Sequence, residues 1–214
     1  MKYEFIIFDI DGTLIDTEFA VLASLQQTIE KLTDESVAYE KLKFSLGIPS
    51  MEALKILGVQ ENLLKEAYDI WNINFEKHIP DIKVYSGIIE LLNELRADNL
   101  KLGILTSKDK MEYEKDFVHL GLESYFNHII TFEDTAKHKP HPEPMLKILE
   151  MACVTSGRAL YIGDSIYDMQ CAQGAGVDNA LALWGRTGSG GIKATYYAEK
   201  PADVVKLIQN ISGT

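Results

Sequence analysis

FIIFDIDGTLIDTE, residues 5–18, sets an apolar run directly against three carboxylates, Asp9, Asp11 and Asp16. Phe5 to Phe8 carries no charge and no helical periodicity, and so short an apolar segment reads as a strand covered on both faces. The carboxylates begin where that strand ends. Like charges this close repel and raise each other's pKa, so the arrangement needs a cation, a solvated turn or a chemical use. Asp9 and Asp11 are two residues apart, which points both the same way on an extended chain, and Gly12 then permits a sharp turn.

Working outward, three more runs share that apolar character, 101-KLGILTS-107, 127-NHIITF-132 and 159-ALYIGD-164, with a weaker one at 179-NALALW-184. Helical stripes separate them: Ile88, Leu91, Leu92 and Leu95 in one, Met145, Ile148, Leu149 and Ala152 in another. Strand and helix in alternation predict an α/β domain, a doubly wound (Rossmann-like) parallel sheet with right-handed crossovers. Residues 16–82 break the rhythm with amphipathic helices only, through Leu22, Leu25, Ile29 and Leu32, then Leu54 and Leu57, then Leu64, Ala67, Ile70 and Ile73. The predicted organisation is a core of residues 1–15 and 83–214 with a helical cap, 16–82, inserted after the first strand. Segment 79-IPDIKVYSG-87 is expected to return the chain to the sheet. The stretch 184-WGRTGSGGIK-193 reads as a loop, and not one that cradles phosphate, because Gly191 stands where such a loop has lysine.

A net charge of −11 argues against nucleic acid or an anionic membrane as partner, since both demand basic surface. No apolar run approaches the ~18 residues of a membrane span, and no signal-like segment opens the chain. Cys153 and Cys171 form no spaced framework, and both are expected to be buried in a protein of the reducing cytoplasm.

Open α/β sheets bind ligands beyond the carboxyl ends of their strands. Asp9, Thr106 with Ser107, and Asp164 all end strands, and Asp168 follows in the first turn of a helix. A few hard oxygen ligands with room for water are what Mg²⁺ takes when it also binds a substrate phosphate. Lys139, in the stiff context 139-KPHPEP-144, would add positive charge, and the Thr106 and Ser107 hydroxyls would donate to phosphoryl oxygens. An aspartate with a pKa near ~3.9 is ionised at neutral pH and can attack phosphorus. The plainer readings differ in weight. A calcium loop places its glycine sixth and follows a helix, whereas Gly12 comes fourth and follows a strand. Asp164 alone would serve as a helix cap, as Asp16 does for a helix beginning at Thr17 or Glu18. Tyr68, Trp71 and Phe75 read as helix core, and Lys41, Lys43 and Lys55 as solvated lysines or a basic patch facing an anion.

Asp9-Ile10-Asp11-Gly12-Thr13, Thr106, Lys139-Pro140 and Gly163-Asp164-Ser165 with Asp168 resemble, in order and spacing, the four motifs of the haloacid dehalogenase superfamily. The insertion is similar to the small helical cap of its phosphoglycolate phosphatase and β-phosphoglucomutase branch. The resemblance implies Asp9 as nucleophile and Mg²⁺ ligand, and Asp11 as proton donor, then base, with its backbone carbonyl on the metal. It implies Asp164 as the third ligand, Thr106 and Lys139 on the phosphoryl group, and Asp168 as the orienter of Lys139 or of metal-bound water rather than a direct ligand. Dehalogenation is disfavoured because those relatives lack the second acid that Asp11 supplies. The mutases carry a histidine early in the first cap helix and a basic residue in a cap loop, and 17-TEFAVLASLQ-26 and 44-FSLGIPSMEA-53 hold neither. The expected activity is an Mg²⁺-dependent phosphatase acting on a small phosphorylated metabolite. The alternatives are a sugar-phosphate mutase and a non-catalytic phosphate-binding module. Phosphoglycolate, a sugar phosphate, a nucleotide and pyrophosphate all remain open as substrates, as does the oligomeric state.

Overall fold

The computed structural model describes residues 2–186 and 188–210 of the 214-residue chain. Its main sheet runs, edge to edge, β5 (His128–Ile130), β4 (Lys101–Leu105), β1 (Phe5–Phe8), β6 (Ala159–Gly163), β7 (Asp178–Ala182) and β8 (Tyr196–Ala198), with every neighbouring pair parallel. The opening apolar run is therefore the central strand. Phe8 lies opposite Ile104 on one side and Ile162 on the other, so β1, β4 and β6 end at one level.

Alternation along β1 divides the core in two. Phe5 and Ile7 pack with Met145 and Ile148 of α7 (Glu143–Ala152) and with Cys171 and Ala172 of α8 (Ile166–Gly174). Ile6 and Phe8 pack with Leu91, Leu92 and Leu95 of α5 (Ile88–Ala97) and with Val204 and Ile208 of α9 (Pro201–Asn210). Helices on both faces of a parallel sheet give the expected doubly wound α/β architecture. Fully burying a side chain such as Phe5 or Ile6 contributes roughly 1.5–3 kcal/mol, which is why uncharged runs occupy the middle strands.

Helices α1 (Glu18–Thr33), α2 (Tyr39–Leu42), α3 (Ser50–Ile56) and α4 (Leu64–Glu76) form a bundle with its own apolar cluster of Leu22, Leu25, Ile29, Leu42, Leu54, Leu64, Ala67 and Trp71. The stripe of α4 departs from expectation after Ala67. It continues through Trp71 and Asn74, while Ile73 is 58% exposed. Those two polar groups point inward because α1 offers partners. Trp71 Nε1 donates to Ser24 Oγ at 2.8 Å, and Asn74 Nδ2 to Thr28 Oγ1 at 3.1 Å.

Other expectations need correction. The segment leaving the bundle does not rejoin the main sheet. Its β3 (Lys83–Val84) pairs antiparallel with β2 (Ile15–Asp16), Ile15 opposite Val84 and Asp16 opposite Lys83. Strand β8 is an addition to the expected sheet. Cys171 is buried, but Cys153 is exposed, because it ends α7 in the left-handed region at φ 52° and turns the chain outward. In the glycine-rich loop Thr187 lies outside the described residues; around it, Leu183–Arg186 and Gly188–Thr195 hold no helix or strand. Among the described residues no helix is long and apolar enough to cross a membrane.

Candidate active site

The level ends of β1, β4 and β6 deliver Asp9, Thr106 and Asp164 to one rim, and the chain before α7 brings Lys139 to it. The Lys139 ammonium is buried and donates to Asp9 Oδ1 at 2.9 Å and Asp168 Oδ1 at 2.7 Å, with the Tyr161 hydroxyl 3.4 Å away. Asp168 is held from the other side by the start of its own helix. Ser165 caps α8, and its backbone N and Oγ donate to Asp168 Oδ2 at 2.9 and 2.6 Å. The Tyr161 hydroxyl, shared with the Leu105 carbonyl, lies 2.8 Å from Asp168 Oδ1. Both oxygens of Asp168 are thus engaged within the protein. Burial works against its ionisation, yet Lys139 and the Ser165 hydrogen bonds outweigh burial and hold its pKa below the usual carboxylate value. Burial likewise opposes the charge on Lys139, but Asp168 and Asp9 hold its pKa well above the ordinary lysine value.

Asp9, Asp164 and Asp168 each bring an oxygen within 4.8 Å of the others. With Asp168 committed, Asp9 and Asp164 are the carboxylates left to hold an ion. Burial pushes Asp9 up to about 7, with the Asp168 and Asp11 carboxylates adding to the rise and Lys139 opposing it. Burial, then Asp168 and Asp9, raise Asp164 well above the ordinary range. Two neighbouring carboxyls driven toward protonation are a charge deficit that a divalent cation would relieve. The space beside them depends on Gly12. At its φ of +70° a side chain is strained, and a Cβ there would stand 2.3 Å from Asp164 Oδ2. An oxygen-only donor set with few protein ligands fits Mg²⁺, which keeps several waters.

Thr106 ends β4, with its backbone N donating to the Ile130 carbonyl at 3.0 Å, and it lines a narrow cleft together with Ser107 and Lys139. Ser107 Oγ donates at 3.3 Å to the Gly47 carbonyl of the helical bundle. The Asp11 carboxylate turns away from Asp164, and its Oδ1 accepts from Thr17 Oγ1 at 2.6 Å and Lys108 Nζ at 2.9 Å. Asp16 sits where expected, at the start of α1, its Oδ1 accepting from Glu18 N at 3.3 Å. The helix after β6 is capped by Ser165, not by Asp164.

Lys108 was missed by sequence reasoning. It is buried, and its ammonium joins Asp11 to Asp116 Oδ2, 2.5 Å away at the end of α6 (Lys110–Asp116). The available signal was position, directly after Thr106 and Ser107 at a strand's carboxyl end. Lys108, Asp9, Asp11 and Ser107 form the sheet side of a cavity of about 70 Å³, closed from the bundle side by Ser45, Trp71 and Asn72. Trp71 therefore serves both the bundle core and the cavity wall. Lys41, Lys43 and Lys55 do not line this cavity, so no basic patch faces it from the bundle. Lys43 is instead engaged by Glu40 and Glu18 at 3.2 and 3.7 Å.

A profile of the haloacid dehalogenase-like hydrolases matches residues 6–182. A Clostridium perfringens protein provisionally named pyrophosphatase PpaX is 31% identical, over 97% of this chain and 98% of its own. Pyrophosphatase PpaX of Bacillus cereus (strain B4264) is 27% identical over 99% of both chains. A crystal structure from Lactobacillus plantarum, provisionally named a phosphoglycolate phosphatase, superposes with a TM-score of 0.88 at 30% identity, covering 97% of this chain and 100% of that one.

Proposed function

The chain belongs to the haloacid dehalogenase-like hydrolases, and from that premise we propose that it is an Mg²⁺-dependent phosphatase of small phosphate esters working through an aspartyl-phosphate. The observation that carries this reading is the meeting of Asp9, Asp164 and the Lys139 ammonium at the ends of two adjacent strands. Asp9 and Asp164, with the Asp11 backbone carbonyl, would hold the ion, which supplies positive charge to a phosphoryl group that this acidic rim would otherwise repel.

In the first half-reaction a carboxylate oxygen of Asp9 attacks phosphorus, the P–O ester bond breaks, and its electron pair leaves with the ester oxygen. That oxygen takes a proton from Asp11 and departs as the alcohol. In the second, water gives a proton to Asp11 and attacks phosphorus. The bond to Asp9 breaks, inorganic phosphate leaves, and both carboxyls return to their starting states. Lys139, Thr106 and Ser107 hold the phosphoryl oxygens, and Asp168 keeps Lys139 aimed. Positioning and fixed charge supply most of the acceleration that phosphoryl transfer needs. Residues 16–82 act as a cap over a core of residues 1–15 and 83–214, gating ester and water. The unpaired cysteines suit a reducing cytoplasm.

The test is phosphate release from 4-nitrophenyl phosphate. Turnover with Mg²⁺ is expected to vanish on adding EDTA and in Asp9→Asn. Turnover that survives in Asp9→Asn sinks the nucleophile assignment.

A further inference from the structure

The cavity between sheet rim and bundle has a charge balance and a set of unpartnered atoms that bear on what leaves with the ester oxygen. Four carboxyl groups line it, Asp9, Asp11, Glu112 and Asp116, against one ammonium, Lys108. That ammonium is already engaged, 2.9 Å from Asp11 and 2.5 Å from Asp116. A divalent ion at Asp9 and Asp164 would offset no more than those two groups, and Lys139 is already paired with Asp168 and Asp9. That leaves nothing over for a second anionic group lodged against Glu112 and Asp116.

Two buried polar atoms of the same lining have no hydrogen-bond partner, Asp116 Oδ1 and Ser45 Oγ. Asp116 is 1% exposed and Ser45 4%, so bulk water does not serve them. Buried polar groups left without partners carry a cost that a bound ligand relieves. The two differ in kind: a carboxylate oxygen that only accepts, and a hydroxyl that does both. A carboxylate or phosphate on the leaving group would oppose the first. Hydroxyl groups satisfy both.

We propose that, given the phosphatase reading on which this rests, the cavity selects phosphate esters of small uncharged polyols and rejects esters whose leaving group is itself an anion. Lys108 holds Asp11 and Asp116 in place, and Asp116 and Ser45 receive the hydroxyls. Pyrophosphate and phosphoglycolate, the compounds after which its relatives are named, both fall in the rejected class.

The experiment compares kcat/KM with Mg²⁺ for glycerol 1-phosphate, erythritol 4-phosphate, phosphoglycolate and pyrophosphate, with 4-nitrophenyl phosphate as reference. The better polyol phosphate is expected to exceed both anionic compounds by about tenfold or more. In Asp116→Asn, which keeps the shape and removes the charge, the ratio of polyol to anionic substrate is expected to fall by about tenfold. If 4-nitrophenyl phosphate turns over while either anionic compound equals or beats the polyol phosphates, this proposal is overturned and the phosphatase reading stands. The proposal is overturned equally, with that reading intact, if 4-nitrophenyl phosphate turns over and neither polyol phosphate reacts. If 4-nitrophenyl phosphate also fails, the phosphatase reading falls and the selectivity with it.

Discussion

Asp9 has to be ionised to attack phosphorus or hold a cation, yet it is 2% exposed beside two other carboxylates. Burial lifts it from an unfolded value near ~3.9 to about 7 in the metal-free protein. The folded state therefore keeps a proton that the unfolded chain has lost. The stabilisation is full below the unfolded value and disappears as pH rises through about 7. A divalent ion must displace that proton, and the one burial favours on Asp164, so Mg²⁺ affinity is expected to climb with pH through this point. Thermal unfolding at about pH 5.5 and about pH 8 checks it, the Mg²⁺-induced rise in Tm being larger at the higher pH. Equal rises would mean that Asp9 is ionised throughout. Asp9, Asp164 and Asp168 were legible because each sits where a strand or helix begins or ends, and sequence position there fixes spatial position; Lys139 was legible from its loop between β5 and α7. Tyr161 was not. It lies inside β6 and reads as core, and only the reach of its hydroxyl to Asp168 makes it part of the polar centre. Lys108 lacked a visible partner because Asp116 follows eight residues later and Asp11 lies in the turn between β1 and β2.

Elements show a similar division. β1, β4, β6 and β7 announce themselves because strands covered on both faces must be apolar nearly throughout. β8 is three residues at the sheet edge, with Tyr197 46% exposed, and such a strand has no pattern to read. The β2–β3 ribbon is two residues on each side, below the length at which alternation means anything. In α4 the expected stripe through Ile70 and Ile73 gave way to the Trp71 side, already read as core, because Asn74 counts as polar until Thr28 is seen opposite it. The turn between β1 and β2 is where an element constrains the chemistry most tightly. Gly12→Ala forces a side chain into the left-handed region, which costs roughly 1–2 kcal/mol, and drives a methyl group against Asp164 Oδ2. Denaturant titration is expected to show that loss of stability, together with loss of the stabilisation Mg²⁺ gives the unaltered chain. A variant that keeps the full Mg²⁺ effect would mean that Asp164 lies outside the ion's reach.

Across the whole molecule, polar ties join the bundle to the start of α6. Asp109 caps that helix and also accepts from the Tyr68 hydroxyl, and Glu112 accepts from Ser50 Oγ at 2.6 Å. Burial, then the Asp109 carboxylate, pushes Glu112 up to about 7, so this junction too carries charge strain that grows with pH. Tyr68→Phe removes one of these ties and is expected to loosen the docking by about 0.5–1.5 kcal/mol. Hydrogen exchange should quicken in the bundle amides facing α6 while those of α5 stay unchanged. Uniform quickening would place the effect in global stability instead. The inserted helices were legible from the broken strand–helix rhythm. Their docking was not, since Ser50 with Glu112 and Tyr68 with Asp109 are polar pairs far apart in sequence, with no periodicity to betray them. Asp16 faces Lys83 across the small ribbon, so the chain leaves for the bundle and returns from it at neighbouring positions. A two-residue hairpin turn would be long enough to span that gap. Topologically the helices are a detour off a single hairpin, and an insert of any length can be exchanged there without rethreading one strand of the sheet.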